Sequence, residues 1–119
     1  MNANDEEKEI AMIMIRAIVR PEKVGTVLSE LIDAGFPAIT KFDVYGRGKQ
    51  RGVKVGEVVY DEIPKEMLLL VCDDIDQDDA VRVILEAART GKEGNFGDGR
   101  IFVSPVETAF TISTGIEGL

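Results

Sequence analysis

An α+β domain is what the 119-residue sequence predicts, on three observations. Two strongly apolar runs, residues 10–20 and 65–72, have the length and β-branched content of buried strands. Each run is followed by a stretch with apolar residues at helical spacing. Each helical stretch reaches a glycine and then a second extended segment, so β-α-β occurs twice. That order is a double split βαβ, the ferredoxin-like βαββαβ arrangement. It fits one domain over residues 10–119, preceded by a polar extension at 1–9.

The first run is Ile10-Ala-Met-Ile-Met-Ile-Arg-Ala-Ile-Val-Arg20, too apolar for a strand with water on both faces. Pro21 suits a first helical position, where no amide donor is needed. Val24, Val27, Leu28, Leu31 and Ile32 then recur at helical spacing. Gly35 ends this helix as a left-handed cap and Pro37 blocks its continuation. Over 38–45, Ala38, Thr40, Phe42 and Val44 alternate and share one face. A glycine-rich basic loop follows, with a short extended stretch at 55–60. In the second half, Asp78 and Asp79 complement the positive end of the second helix dipole. Val81, Ile84, Leu85 and Ala88 form that helix's apolar stripe, and Gly91 is expected to end it. A loop over 91–99 leads to the strand Arg100–Val106, and a last extended piece covers about 108–113.

Composition excludes several functions. Acids outnumber bases 22 to 14, giving a net charge of −8. Nucleic acid and anionic membranes both demand a cationic footprint. An RNA-recognition domain shares the topology but needs stacking aromatics, and aromatic residues are 6% here. There is no histidine and one cysteine, Cys72, inside an apolar run. A Cys/His pair is therefore impossible, and Cys72 reads as a small core residue. No carboxylate pair stands out as an acid/base couple, so the chain reads as non-enzymatic. No apolar run approaches the ~20 residues of a membrane span. Residues 1–9 are polar and acidic, unlike a signal peptide, and a cytoplasmic protein is expected.

Three features stand out. Gly46-Arg47-Gly48-Lys49-Gln50-Arg51-Gly52 places three cations among glycines that let successive NH groups converge. From the residues alone it is either an anion cradle or a flexible basic hairpin tip. Thr90-Gly91-Lys92-Glu93-Gly94-Asn95-Phe96-Gly97-Asp98-Gly99-Arg100 is either a second anion-binding segment or a glycine-rich turn. Lys65, after Pro64, either sets its ammonium at the base of the first loop or snorkels to the surface.

Taken together these residues resemble the PII signal-transduction family. The resemblance rests on Ala17-Ile18-Val19-Arg20-Pro21, the loop 46–52, Pro64-Lys65, Ala88-Arg89-Thr90-Gly91, Gly97-Asp98-Gly99-Arg100-Ile101-Phe102-Val103 and Thr114-Gly115, in the family's order. It is most similar to the nitrogen-fixation (NifI-type) subfamily and to the shorter-looped of its two paralogues. The resemblance implies a homotrimer with nucleotide clefts between subunits and an effector loop at about 47–63. It implies Thr40 near the adenine of ATP or ADP. Gly48 and Lys49 would face the phosphates from one side, and Gly97, Asp98, Gly99 and Arg100 from the other. It further implies Mg²⁺ held through the amide oxygen of Gln50, and 2-oxoglutarate at Gln50, Gly52 and Lys65. The sequence also departs from the family: Thr111 and Ser113 stand where many relatives carry phosphate-binding arginines. Leu69 replaces a common acid, and the second loop has about three extra residues within Glu93–Phe96.

The function so implied is a nitrogen-regulatory sensor that acts on nitrogenase through its effector loop. Its expected partners are dinitrogenase and a PII paralogue in a hetero-oligomer, with no nucleic acid and no membrane insertion. The alternative is control of an ammonium channel or a nitrogen-assimilation enzyme.

Overall fold

The computed structural model describes residues 11–47, 53–55, 58–60 and 62–119. Strand β1 is Met12–Val19, followed by a 3₁₀ turn at Pro21–Lys23 and helix α1 at Val24–Asp33. Strand β2 is Thr40–Gly46, β3 is Val53–Val55, β4 is Val58–Tyr60 and β5 is Ile63–Asp73. A 3₁₀ turn at Asp74–Asp76 opens helix α2, Gln77–Ala88. Strand β6 is Gly99–Val106, and β7 (Phe110–Thr111) and β8 (Ile116–Glu117) complete the chain. The main sheet has the order β2-β5-β1-β6 with every neighbour antiparallel. This is the predicted ferredoxin-like arrangement.

Local chemistry accounts for the boundaries. Arg20 is extended (φ −63°, ψ 138°) and Pro21 opens the turn behind it, as its missing amide permits. At the end of α1 the Gly35 amide bonds to Ile32 O at 3.0 Å and the Phe36 amide to Leu31 O at 2.8 Å. With Gly35 at φ 95° this is a Schellman cap. Helix α2 departs from expectation. It stops at Ala88, and Arg89 turns extended (φ −68°, ψ 138°), so Gly91 does not cap it. The stretch expected at 55–60 is part of a hairpin, β3 against β4, with Val53 opposite Tyr60 and Val55 opposite Val58.

Alternation along β1 and β5 divides the sheet into two faces. Ile13, Ile15, Ala17 and Val19 pair beside Leu68, Leu70 and Cys72 and are buried. Val24, Val27 and Leu31 of α1 and Ala80, Ile84 and Ala87 of α2 complete that core. Cys72 is a core residue, as its apolar surroundings predict, and burial pushes its thiol pKa up. The opposite face is also apolar. Register puts Thr40, Phe42 and Val44 beside Met67 and Leu69, then Met14, Arg16 and Ile18, then Phe102. Phe42 and Phe102 are 42% and 46% exposed. The β7–β8 hairpin leaves Phe110, Ile112 and Ile116 exposed, Ile112 almost wholly so at 99%.

Candidate functional site

One carboxylate organises the second glycine-rich loop. Asp98 sits just before β6, and four donors converge on it. Its Oδ1 accepts from Arg20 Nε at 3.0 Å and from Thr90 Oγ1 at 2.6 Å. Its Oδ2 accepts from the amides of Thr90 at 3.0 Å and Asn95 at 2.9 Å. The Asn95 side chain donates in turn to Thr90 Oγ1 at 2.8 Å and Thr90 O at 3.2 Å. Arg20 also donates from Nη2 to Phe96 O at 2.9 Å. Burial pushes the Asp98 pKa up, but the bonds from Thr90, Asn95 and Arg20 outweigh it and hold the carboxyl well below its ordinary range.

The early end of α2 now has a reason. An extended Arg89 turns the Thr90 amide and hydroxyl toward Asp98. Two carboxylate oxygens offer about four acceptor sites, and all are used.

Glycines let the loop lie close to its surroundings. A Cβ on Gly97 (φ 94°) would stand 3.1 Å from Arg20 Nη2. A Cβ on Gly99 (φ 115°) would stand 1.7 Å from the Ile18 carbonyl oxygen. Only glycine therefore lets β6 enter the ladder with Gly99 opposite Val19 and Arg100 opposite Ile18.

Lys65 joins this loop to the root of the first one. It lies near the start of β5, opposite Val44, and its ammonium donates to the Gly97 carbonyl. Burial and the nearby Arg20 charge lower its pKa, partly opposed by Glu22 and Asp98. The cation is thus less stable than on an exposed lysine, and an approaching anion would restore what burial removes.

These parts border an open cleft of about 590 Å³. Gly46, Arg47 and Ile63 line one side, Asn95 to Arg100 the other, and Lys65 and Phe102 also face it. Among the described residues Arg47, Lys65 and Arg100 make it cationic, because the one described acid on its wall, Asp98, is already matched by Arg20. A cationic cleft in a chain of net charge −8 is suited to a small polyanion.

Of the residues singled out from sequence, Lys65, Gly97, Asp98, Gly99 and Arg100 come together here. Gly48, Lys49, Gln50 and Gly52 lie outside the described residues. Thr40 is at the far end of β2 from Gly46, six residues or roughly 20 Å of strand away, and does not line the cleft within its own chain. Sequence reasoning assigns no site role to Arg20, Thr90 or Asn95. Arg20-Pro21 and Thr90-Gly91 stand among the family-like motifs, but nothing in the sequence shows that they meet at Asp98.

The model of the family described as "Nitrogen regulatory protein P-II" matches residues 12–116. The chain belongs to the P-II family. It is 58% identical over 108 residues to "Nitrogen fixation nifHD region GlnB-like protein 1" of Methanothermobacter marburgensis, covering 91% of this chain and all of that one. It is 51% identical over 108 residues to the like-named protein of Methanothermococcus thermolithotrophicus, again covering 91% of this chain and all of the relative. To the latter organism's "GlnB-like protein 2" it is 38% identical over 120 residues, 86% of this chain and 91% of the other. The P-II reading thus extends to the nitrogen-fixation subfamily that the loop motifs resemble. Among solved structures, Arabidopsis thaliana PII bound to citrate superposes with a TM-score of 0.73 at 29% identity, covering 92% of this chain and 88% of that one.

Proposed function

We propose that this P-II protein is a non-enzymatic sensor that binds adenine nucleotide and 2-oxoglutarate in the cationic cleft and regulates nitrogenase through its effector loop. The observation that carries the reading is Lys65. One ammonium at the root of the effector loop touches the second glycine loop, so an anion captured there acts on both. The names of the relatives, drawn from nifHD regions, favour nitrogenase as the regulated system, and a citrate-bound relative favours a carboxylate ligand.

In this reading Gly97, Gly99 and Arg100 receive phosphates from one side, and Gly48 and Lys49 from the other. Asp98 serves the site by holding that loop rather than by touching ligand. Lys65 pairs with the distal carboxylate of 2-oxoglutarate, with Gln50 and Gly52 beside it. In this reading Mg²⁺ takes the Gln50 amide oxygen together with phosphate and 2-oxoglutarate oxygens, while Asp98 stays paired with Arg20. When bound, Mg²⁺ supplies the charge that lets a triphosphate and a dicarboxylate share one cleft.

The assembly we propose is a homotrimer in which a second copy covers the open sheet face. Thr40 then reaches a nucleotide held by the neighbour. The chain also joins the paralogue and dinitrogenase in the cytoplasm.

Calorimetry tests the ligand reading. ATP should bind alone, and 2-oxoglutarate only with ATP and Mg²⁺. Lys65→Ala and Gln50→Glu should each abolish the second event and spare the first. Parent-like 2-oxoglutarate binding by both variants rejects the assignment. Capture of dinitrogenase and the paralogue, released by ATP with 2-oxoglutarate, tests the output.

A further inference from the structure

Phe96 has no role in the scheme above, although it lies on the wall of the cleft. The residue is 76% exposed and lines the cleft beside Lys65. Large apolar side chains on mobile loops can turn away from water at little cost. Here the backbone is held on both sides. Arg20 grips the Phe96 carbonyl, Asp98 grips the Asn95 amide, and Lys65 grips the carbonyl of Gly97. The backbone is pinned and the ring is not, so the ring can swing at the mouth of the cleft beside the Lys65 ammonium, where an occupant of the cleft would meet it.

What it contacts follows from position. A carboxylate paired with Lys65 stands next to Gly97 O, and consecutive Cα atoms are only about 3.8 Å apart. A cation on one side and an apolar ring on the other suit a ligand with a charged end and a short hydrocarbon segment. A 2-oxo dicarboxylate is such a ligand, with methylenes between its keto carbon and its distal carboxylate. Covering those methylenes would also exclude water from the Lys65 ion pair and strengthen it.

We infer that the Phe96 ring closes over the carbon chain of the dicarboxylate and sets which chain length the cleft accepts. The inference rests on the reading that Lys65 receives a carboxylate. It assigns a functional part to the loop segment Glu93–Phe96, within which the extra residues fall: Asn95 braces the loop and Phe96 selects the ligand.

Calorimetry on the full chain saturated with ATP and Mg²⁺ tests this. The probes are oxaloacetate, 2-oxoglutarate and 2-oxoadipate, which carry one, two and three methylenes. The parent should prefer one length by about tenfold, the usual worth of a methylene in a fitted pocket. Phe96→Ala should weaken the preferred ligand by about tenfold and bring the three within about threefold of one another. Phe96→Leu should restore most of the preference. ATP affinity and melting temperature should not move. An unchanged order of affinities in Phe96→Ala overturns the inference. So does a uniform loss that includes ATP, because that would mean a distorted loop. A parent that binds none of the three overturns the ligand reading itself, and is recognised before any variant is made.

Discussion

The two faces of the main sheet are built from similar residues and meet different fates. Ile13, Ile15, Ala17 and Val19 on one side of β1 vanish beneath α1 and α2. Met14 and Ile18 on the other side, with Met67, Leu69 and Phe102 beside them, form a surface that the described chain leaves uncovered. Apolar alternation shows that both faces avoid water; it does not show whether the cover comes from the same chain. Arg16 is the one charged residue on β1, and it lies on the open side between Leu69 and Phe102.

Substitutions on the two faces should therefore part company. Ile15→Ala removes a fully buried side chain and should cost about 2–5 kcal/mol in denaturant unfolding. A cost under about 1 kcal/mol would mean that the helix layer is not packed as described. Met67→Asp, on the open face between Ile18 and Phe42, should leave the far-ultraviolet spectrum intact and cost the isolated chain about 1 kcal/mol or less. Its effect belongs to assembly: light scattering should show a trimer for the parent and a monomer for the variant. If both variants remain trimers, the open face is not the interface.

The rim between the faces gives smaller effects. Asp98 has a folded pKa below its unfolded value of about 3.9. Its stabilisation is thus fully present above about pH 4 and drains away as pH falls toward the folded pKa. Unfolding free energy measured from pH 5.5 down to 2.5 should fall less steeply for Asp98→Asn than for the parent, so that the gap between the two curves narrows toward the acid end. Parallel curves would show that the four donors do not depend on its charge. The smallest effect is expected at Lys41–Glu66, 3.2 Å apart with Lys41 about half exposed. Lys41→Ala should change stability by less than about 1 kcal/mol.

Much of the fold is legible in the amino-acid sequence. The apolar run of β1, Pro21 after it, Gly35 before Pro37, and the alternation of Thr40, Phe42 and Val44 all act locally, and each does in the fold what its neighbours in the chain imply. The end of α2 resists such reading because a distant group decides it. Gly91 is a sound local stop signal, but the Thr90 bonds to Asp98 turn the chain earlier, at Arg89. The role of Asp98 is hidden for a related reason. Within Gly-Asp-Gly-Arg an acid looks like part of a ligand surface, and its main counter-charge, Arg20, is 78 residues away. The β3–β4 hairpin reads as one extended stretch because three residues per strand are too few for alternation to declare two strands.

Cys72 is the sole thiol of the chain and lies under the helix layer with its pKa raised. A thiol reagent added to the native protein therefore has one target, and that target reacts as the core around it opens. The labelling rate becomes a clock for that opening, free of background from any second cysteine. Run with and without nucleotide, it would report whether events in the cleft reach the far side of the sheet.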